Sequence, residues 1–321
     1  MGMSPAPGDL VPVDRSLASF VYGPNVPVRA RVAPGARLEV ETRDPRSGAL
    51  FVGPPGTFQA FPPPDGIFSN ALTGPIAIEG AEPGDALRVR VVAVAVEGPG
   101  YMAYHDEGWV IPRGRTGGRR IGIVDIRADE VIWRHGLRWP AHPMCGCIGV
   151  AHPDAPPADA TGAFGGNMDH ARIRPGCRVY LPVFADGGLL YLGDIHAAMG
   201  DGELSGGGVE VAGRVTVRVD LVRGICLAAP RLEDRTRVMT TGWSRDFAEA
   251  RRMAVEDMLE IVQACLHVGA GEALMLISAL GDLRVGQASM DTEMTVRLEM
   301  PRRLGLRAVP GARGAAGGRA T

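Results

Sequence analysis

The chain has no lysine: all 34 of its basic residues are arginine. Chemistry that needs a lysine amine is therefore excluded. That removes the Ser-Ser-Lys and Cys-Glu-Lys amidases, Schiff-base enzymes and P-loop phosphate binders. Cysteine is sparse and odd in number, five in 321 residues, which argues against a disulfide framework and suits a reducing compartment. No uninterrupted apolar run approaches the roughly 18–20 residues that span a bilayer. The segment Met1–Pro12 lacks the basic region and apolar core of a secretory leader. A net charge of −2 leaves no electrostatic footprint for nucleic acid or an anionic membrane. A cytoplasmic location is the expectation. Aromatic residues make up only 5%, whereas glycine (45) and proline (26) are abundant, so the chain turns often and many short strands are expected rather than a helix bundle.

Pro-Gly turns mark where strands begin. Arg37–Thr42 alternates about Leu38, Val40 and Thr42 after Pro34-Gly35, and Leu87–Val96 is a β-branched run after Pro83-Gly84. Val179–Val183 follows Pro175-Gly176, and Gly213–Val222 alternates again. The three turns read either as an internal repeat or as one turn chemistry used three times, with proline presetting φ and glycine supplying a positive φ. One segment reads clearly as helix. Ser244 stands as N-cap, Phe247, Ala250, Met253, Ala254, Met258, Ile261, Val262 and Cys265 fall at helical spacing, and Gly269 is the stop. A short helix over Gly271–Ser278 and strands over Leu283–Met290 and Thr292–Leu298 follow. The expected fold is mostly β, sandwich- or jelly-roll-like, with a smaller α+β C-terminal region. Residues 1–15 and 305–321 read as flexible ends, 16–225 as the β-rich domain carrying the site, and 226–304 as the α+β region packed on it.

The densest set of potential ligands is Gly193-Asp194-Ile195-His196 followed by Gly200-Asp201-Gly202-Glu203. Asp194 and His196 are two apart, so on a strand both face one side. The glycine-flanked loop can fold Asp201 and Glu203 back toward them. One imidazole with several carboxylates suits zinc, calcium or manganese; the alternative is that the acids merely decorate glycine turns. Upstream, Gly165-Gly166-Asn167-Met168-Asp169 leaves the backbone free to approach a ligand, with Asn167 and Asp169 on one face if extended. A hairpin of Arg178–Val183 and Leu189–Leu192 through Asp186-Gly187-Gly188 would bring the two segments together. Cys145-Gly-Cys147, flanked by His142 and His152, has the wrong spacing for a zinc knuckle. A thiol nucleophile there stays open, although buried thiols are usually inert. His105, in Tyr104-His105-Asp106-Glu107, reads as loop charge or as a substrate contact.

The stretch GGNMDHARIRPGCRVYLPVFADGGLLYLGDIHAAMGDGE (165–203) strongly resembles the acetamidase/formamidase family. So do TGPIAIEGAEPGDALRV (73–89), MCGCIGVAHP (144–153) and GWSRDFAEARRMAVEDML (242–259), in the same order and spacing, so the resemblance covers roughly residues 25–302. It implies a largely β hydrolase of short aliphatic amides or small lactams, a homo-oligomer with an active-site metal, zinc or else calcium. It points to Asn167, Asp169, Asp194, His196, Asp201 and Glu203 as site residues, with Glu79 as a further candidate. Two features depart from the family. Ser16–Tyr22 offers no histidine where members typically carry one, and Ala151-His152-Pro153 stands where the family has Ala-Pro. His105 or His152 could take the missing histidine's place.

Together these readings give a set of roles. Asp194, His196 and Asp169 are metal ligands. Glu203 or Asp201 is the general base, and Asn167 an oxyanion donor. Glu79, Gly165, Gly166 and His105 contact the substrate, a small amide. The competing reading is a diverged member that binds small molecules or assists a biosynthetic step without hydrolysing anything.

Overall fold

The structure, a computed structural model, describes residues 10–51, 53–60, 69–108, 110–127, 129–289 and 293–311. It is mostly β, a curled antiparallel sheet with two helices near the C-terminus, as the glycine- and proline-rich composition leads one to expect. The strands form two runs. In the first, Met144–Val150 pairs on one side with Gly165–Asn167 and on the other with Leu190–His196. Leu190–His196 in turn pairs with Leu72–Ile78, and every residue of these four strands is buried. Such strands need no polar face and read as near-continuous apolar runs. The second run places Arg37–Thr42, Glu210–Val222, Ala86–Tyr104, Arg178–Pro182 and Arg231–Glu233 side by side. The runs meet where Ile195 and His196 pair with Val211 and Glu210. That seam is where the candidate site lies.

The hairpin expected through Asp186-Gly187-Gly188 does not form. Arg178–Pro182 pairs with Ala86–Arg90 and Arg231–Glu233, while Leu190–His196 lies in the other run. The turn, with Gly187, Gly188 and Leu189 all at positive φ, carries the chain from one run to the other. Met144–Val150, inserted between the Asn167 strand and the Asp194 strand, brings these two segments together. A local pattern cannot show a strand supplied from earlier in the chain.

In the C-terminal region the long helix spans Phe247–Leu266, and its N-cap is Asp246 rather than Ser244. The Asp246 side chain accepts from the Ala248 amide at 2.8 Å, and Ser244 Oγ accepts from the Asp246 amide. Left-handed His267 (φ +57°) closes it, and Gly269 instead starts the second helix, Ala270–Leu280. Ala250, Ala254, Met258, Ile261 and Val262 pack with Val238, Val296 and Met300 in a second apolar core, on the strands Arg237–Ser244 and Met294–Pro301. Asp282–Val285 completes this sheet; the expected strands there reached into residues 290–292, which lie outside the described residues. Among the described residues no single helix is long and apolar enough to cross a membrane. The chain ends are tied in further than their composition suggests: Leu10–Val13 pairs in parallel with Arg37–Val40, and Leu306, Ala308 and Val309 are buried in the second core. The remainder of both expected tails, 1–9 and 312–321, lies outside the described residues.

Buried Arg231 fastens the helix to the sheet. Its Nε and Nη2 donate to Asp257 at 2.5–3.1 Å, and its Nη1 donates to the Ala308 carbonyl at 3.2 Å. Removing one partner of a buried pair leaves an uncompensated charge, costing about 3–5 kcal/mol, far more than an exposed pair is worth. Arg231 Nη2 also donates to Glu260 at 3.0 Å, so Asp257→Ala combined with Glu260→Ala should lower stability by about that much in denaturant titration; a change under about 1 kcal/mol would show that Arg231 is not a fastener.

Candidate active site

His196 and Glu210 face each other directly across the seam. His196 Nε2 lies 3.1 Å from Glu210 Oε2, 3.3 Å from Asp194 Oδ1 and 3.8 Å from Glu203 Oε1. Asp169 completes the group, which falls into two overlapping sets able to hold a metal ion: Asp169, His196 and Glu203, and Asp194, His196 and Glu210. All five residues are buried. Three of the acids sit on left-handed backbone, Asp169 (φ +47°), Asp194 (φ +56°) and Glu203 (φ +44°). Non-glycine residues hold such angles only where the surroundings over-determine them, and they cluster at functional sites.

Gly146 makes room for this convergence. A Cβ there would lie 2.4 Å from Asp169 Oδ1 and 2.8 Å from Asp194 Oδ2, so any side chain would push into the space the two carboxylates occupy. The glycine of the Cys-Gly-Cys segment thus serves the carboxylates rather than its flanking thiols.

Geometry favours a cation here. Asp169 Oδ1 and Oδ2, Asp194 Oδ1, His196 Nε2 and Glu210 Oε2 are buried with no aligned hydrogen-bond partner, although several lie within about 3.3 Å of one another. Buried polar atoms are rarely left this way. The other ring nitrogen, His196 Nδ1, faces Met199 Sδ at 3.2 Å, which leaves Nε2 to offer its lone pair inward. One imidazole nitrogen with several carboxylate oxygens is a donor set for a hard or borderline divalent ion.

The side chains by themselves hold protons. Burial, reinforced by the charge of Asp194, pushes Asp169 up to about 8, and burial pushes Glu210 up to about 7. Burial and the charge of Asp169 also raise Glu203 well above the carboxylate range. For Asp194, burial opposes ionisation, but the charge of His196 outweighs it and lowers its pKa. For His196, burial disfavours the charged ring, but Glu210 and Asp194 outweigh it and raise its pKa.

A cavity of about 110 Å³ opens onto the cluster, lined by Asp194, Glu203 and Glu210 together with Arg46, Leu50, Tyr101, Ala103 and His105. Asn70 and Asn167 also line it. Asn70 Nδ2 donates to Asn167 Oδ1 (3.1 Å) and Asp194 Oδ2 (3.2 Å), and the Cys147 thiol also donates to Asn167 Oδ1 (3.0 Å). With its oxygen engaged, Asn167 has its amide nitrogen left to face the cavity. A larger hollow of about 480 Å³, with Met102, Trp139, His142 and Met199 in its wall, adjoins at Glu203 and Gly207.

Of the residues singled out in the sequence, Asn167, Asp169, Asp194, His196 and Glu203 come together, and His105 lines the cavity. Asp201 does not join them: its carboxylate turns to Arg297 Nη2 at 2.8 Å. Glu79 is exposed in the turn after Leu72–Ile78 and is not in the cavity wall. Gly165 and Gly166 are not in the cavity wall and allow close strand approach, since a Cβ would meet the Ile148 carbonyl at 2.5 Å and the Ala160 carbonyl at 2.2 Å. His152 packs its ring on Phe184 and Phe164, away from the cavity. The thiols are poor nucleophiles, as burial pushes Cys145 up to about 12 and Cys147 well above its usual value. Glu210 and Asn70 were not visible from the sequence. Glu210 becomes a partner of His196 only through strand register, and Asn70 is nearly a hundred positions from Asn167.

Two outcomes follow. Gly146→Ala should abolish stoichiometric divalent-metal binding by elemental analysis while circular dichroism stays native; normal metal content would mean the carboxylates do not depend on that space. Groups raised to about 7 and about 8 are protonated at pH 6 and largely ionised at pH 9. Zinc affinity measured by calorimetry should therefore rise across that window with proton release; a flat profile would contradict this.

The sequence profile of the Acetamidase/Formamidase family matches residues 140–240, the segment that carries Gly146, Asn167, Asp169, Asp194, His196, Glu203 and Glu210. The fold is similar to that of the acetamidase from Bacillus halodurans, with 32% identity and a TM-score of 0.86 over 92% of this chain and 98% of that one. It is also similar to the predicted acetamidase/formamidase of Thermoanaerobacter tengcongensis, with 30% identity and a TM-score of 0.84 over 92% and 96% of the two chains. By sequence, the acetamidase of Mycolicibacterium smegmatis is 24% identical over 77% of this chain and 79% of its own. Full-length agreement with solved structures at this identity, joined to a profile match over the site itself, establishes that the chain belongs to the acetamidase/formamidase family.

Proposed function

We propose that this chain hydrolyses small amides to a carboxylate and ammonia, with a divalent cation, zinc or else calcium, held by Asp194, His196 and Glu210 and backed by Asp169. The observation that carries this reading is the buried cluster of unpartnered carboxylate and imidazole atoms opening onto a small cavity. Relatives named acetamidase and formamidase support the reaction class.

Cavity size bears on the substrate. A volume of about 110 Å³ equals that of roughly four waters, far below the ~300–1,000 Å³ of pockets for drug-sized ligands. A formamide or acetamide fits that space. A divalent cation supplies Lewis acidity, withdrawing charge from an amide carbonyl and making a water more acidic. The protein's part is proton handling and orientation. Glu203 lines the cavity whereas its partner Asp169 does not, so Glu203 is the member of this raised-pKa pair that meets substrate. Its carboxylate takes a proton from water and returns it to the departing nitrogen. The Asn167 amide nitrogen donates to the substrate oxygen as charge builds there. Cysteines that form no disulfides are consistent with a cytoplasmic enzyme, and family resemblance with a homo-oligomer.

Ammonia release from formamide, acetamide and a γ-lactam, assayed in parallel, tests the reading. Wild-type protein should turn over the acyclic amides, and Glu203→Gln should lose about 10²-fold or more in kcat while still binding zinc. A wild type inactive on all three, or a fully active Glu203→Gln, would reject it.

A further inference from the structure

Glu203 holds a left-handed conformation inside a loop that lines the cavity, where its amide donates to the Gly200 carbonyl at 3.2 Å and its carbonyl accepts from the Gly206 amide at 2.9 Å. Further bonds to the loop come from the C-terminal region. The Gly202 amide donates to the Gly286 carbonyl at 2.8 Å, and the Gly202 carbonyl accepts from the Ala288 amide at 2.9 Å. Beside these backbone bonds lies Asp201, whose Oδ2 accepts from Arg297 Nη2 at 2.8 Å. Arg297 is itself buried and oriented: its Nε donates to Glu299 Oε1 at 2.7 Å. Glu299 Oε2 accepts from Arg172 at 3.1 Å, and Arg172 donates in turn to Asp234 at 2.8 Å. A guanidinium held in its plane by one carboxylate presents a rigid fork to the next.

We propose that Arg297 is a positioning residue, holding the Glu203 carboxylate in the cavity through its bond to Asp201. The assignment rests on the role of Glu203 given above. It explains why Asp201, in the same glycine-rich loop, turns away from the cluster: its partner is the arginine beneath the loop. It also gives the α+β region a part in catalysis, although none of its side chains enters the small cavity. Gln287 adds to the same brace by donating from Nε2 to the Asn167 carbonyl at 2.9 Å.

The test compares Asp201→Asn with Arg297→Gln, which change the local charge in opposite directions. Both should lower kcat for acetamide about tenfold or more, since a displacement near 1 Å can cost about 10²-fold. KM and zinc content should stay within about twofold of wild type. The double variant should be no worse than the more severe single, as expected for residues acting through one contact. Arg297→Lys, which keeps the charge but not the fork, should recover part of the loss. Opposite effects of the two single variants would show a charge effect, and unchanged kcat in Asp201→Asn would also overturn the proposal. Amide hydrogen exchange over residues 199–208 provides a readout independent of hydrolysis. It should speed up in both variants with zinc bound, whereas unchanged protection would refute the latch even if the chain hydrolyses no amide.

Discussion

Mutual repulsion among four buried carboxylates is the constraint on which the structure turns. Two like charges about 4 Å apart repel by about 4 kcal/mol at an effective dielectric near 20, and Asp169 with Glu203, and Asp194 with Glu210, make two pairs within 4.8 Å. Domains are typically stable by only about 5–15 kcal/mol, so these acids cannot all be ionised unless something opposes their charge. His196 supplies one positive charge when protonated, and protons on the acids supply the rest; a divalent cation does both at once and frees the imidazole to act as a ligand.

Much of the fold around the cluster serves to hold this unfavourable arrangement in place. Three fully buried strands, Leu72–Ile78, Met144–Val150 and Leu190–His196, form its floor. Gly146 leaves space for two carboxylates above that floor. Left-handed backbone at Asp169, Asp194 and Glu203 aims the acids inward at a cost each, which the surrounding packing must outweigh. From the far side, the strand Met294–Pro301 reaches under the loop through Arg297, so the smaller C-terminal core also supports the cavity.

The sequence was most legible where chemistry is local. Alternation marked Arg37–Thr42 to the residue, and the spacing of Asp194 and His196 put both on one face of the seam strand. Non-local pairing was not legible. The Asp186–Gly188 turn looked like a hairpin because its composition is that of one, yet the strands on either side of it belong to different runs. Glu210 shows no motif at all, since its role comes from standing opposite His196. Asp201 shows the reverse: its setting among glycines suggested convergence with Glu203, and only the arrival of a buried arginine from nearly a hundred residues later turns it away. Helix limits shifted for a related reason, because Asp246 outcompetes Ser244 as the cap and left-handed His267 ends the helix before Gly269.

A crystal structure of the active protein prepared with zinc, with anomalous diffraction recorded on both sides of the zinc edge, addresses the central claim most directly. The account predicts one strong peak about 2.0–2.2 Å from His196 Nε2 and from oxygens of Asp194 and Glu210. An active protein whose cluster shows no peak, with His196 hydrogen-bonded to protonated carboxylates instead, would contradict it.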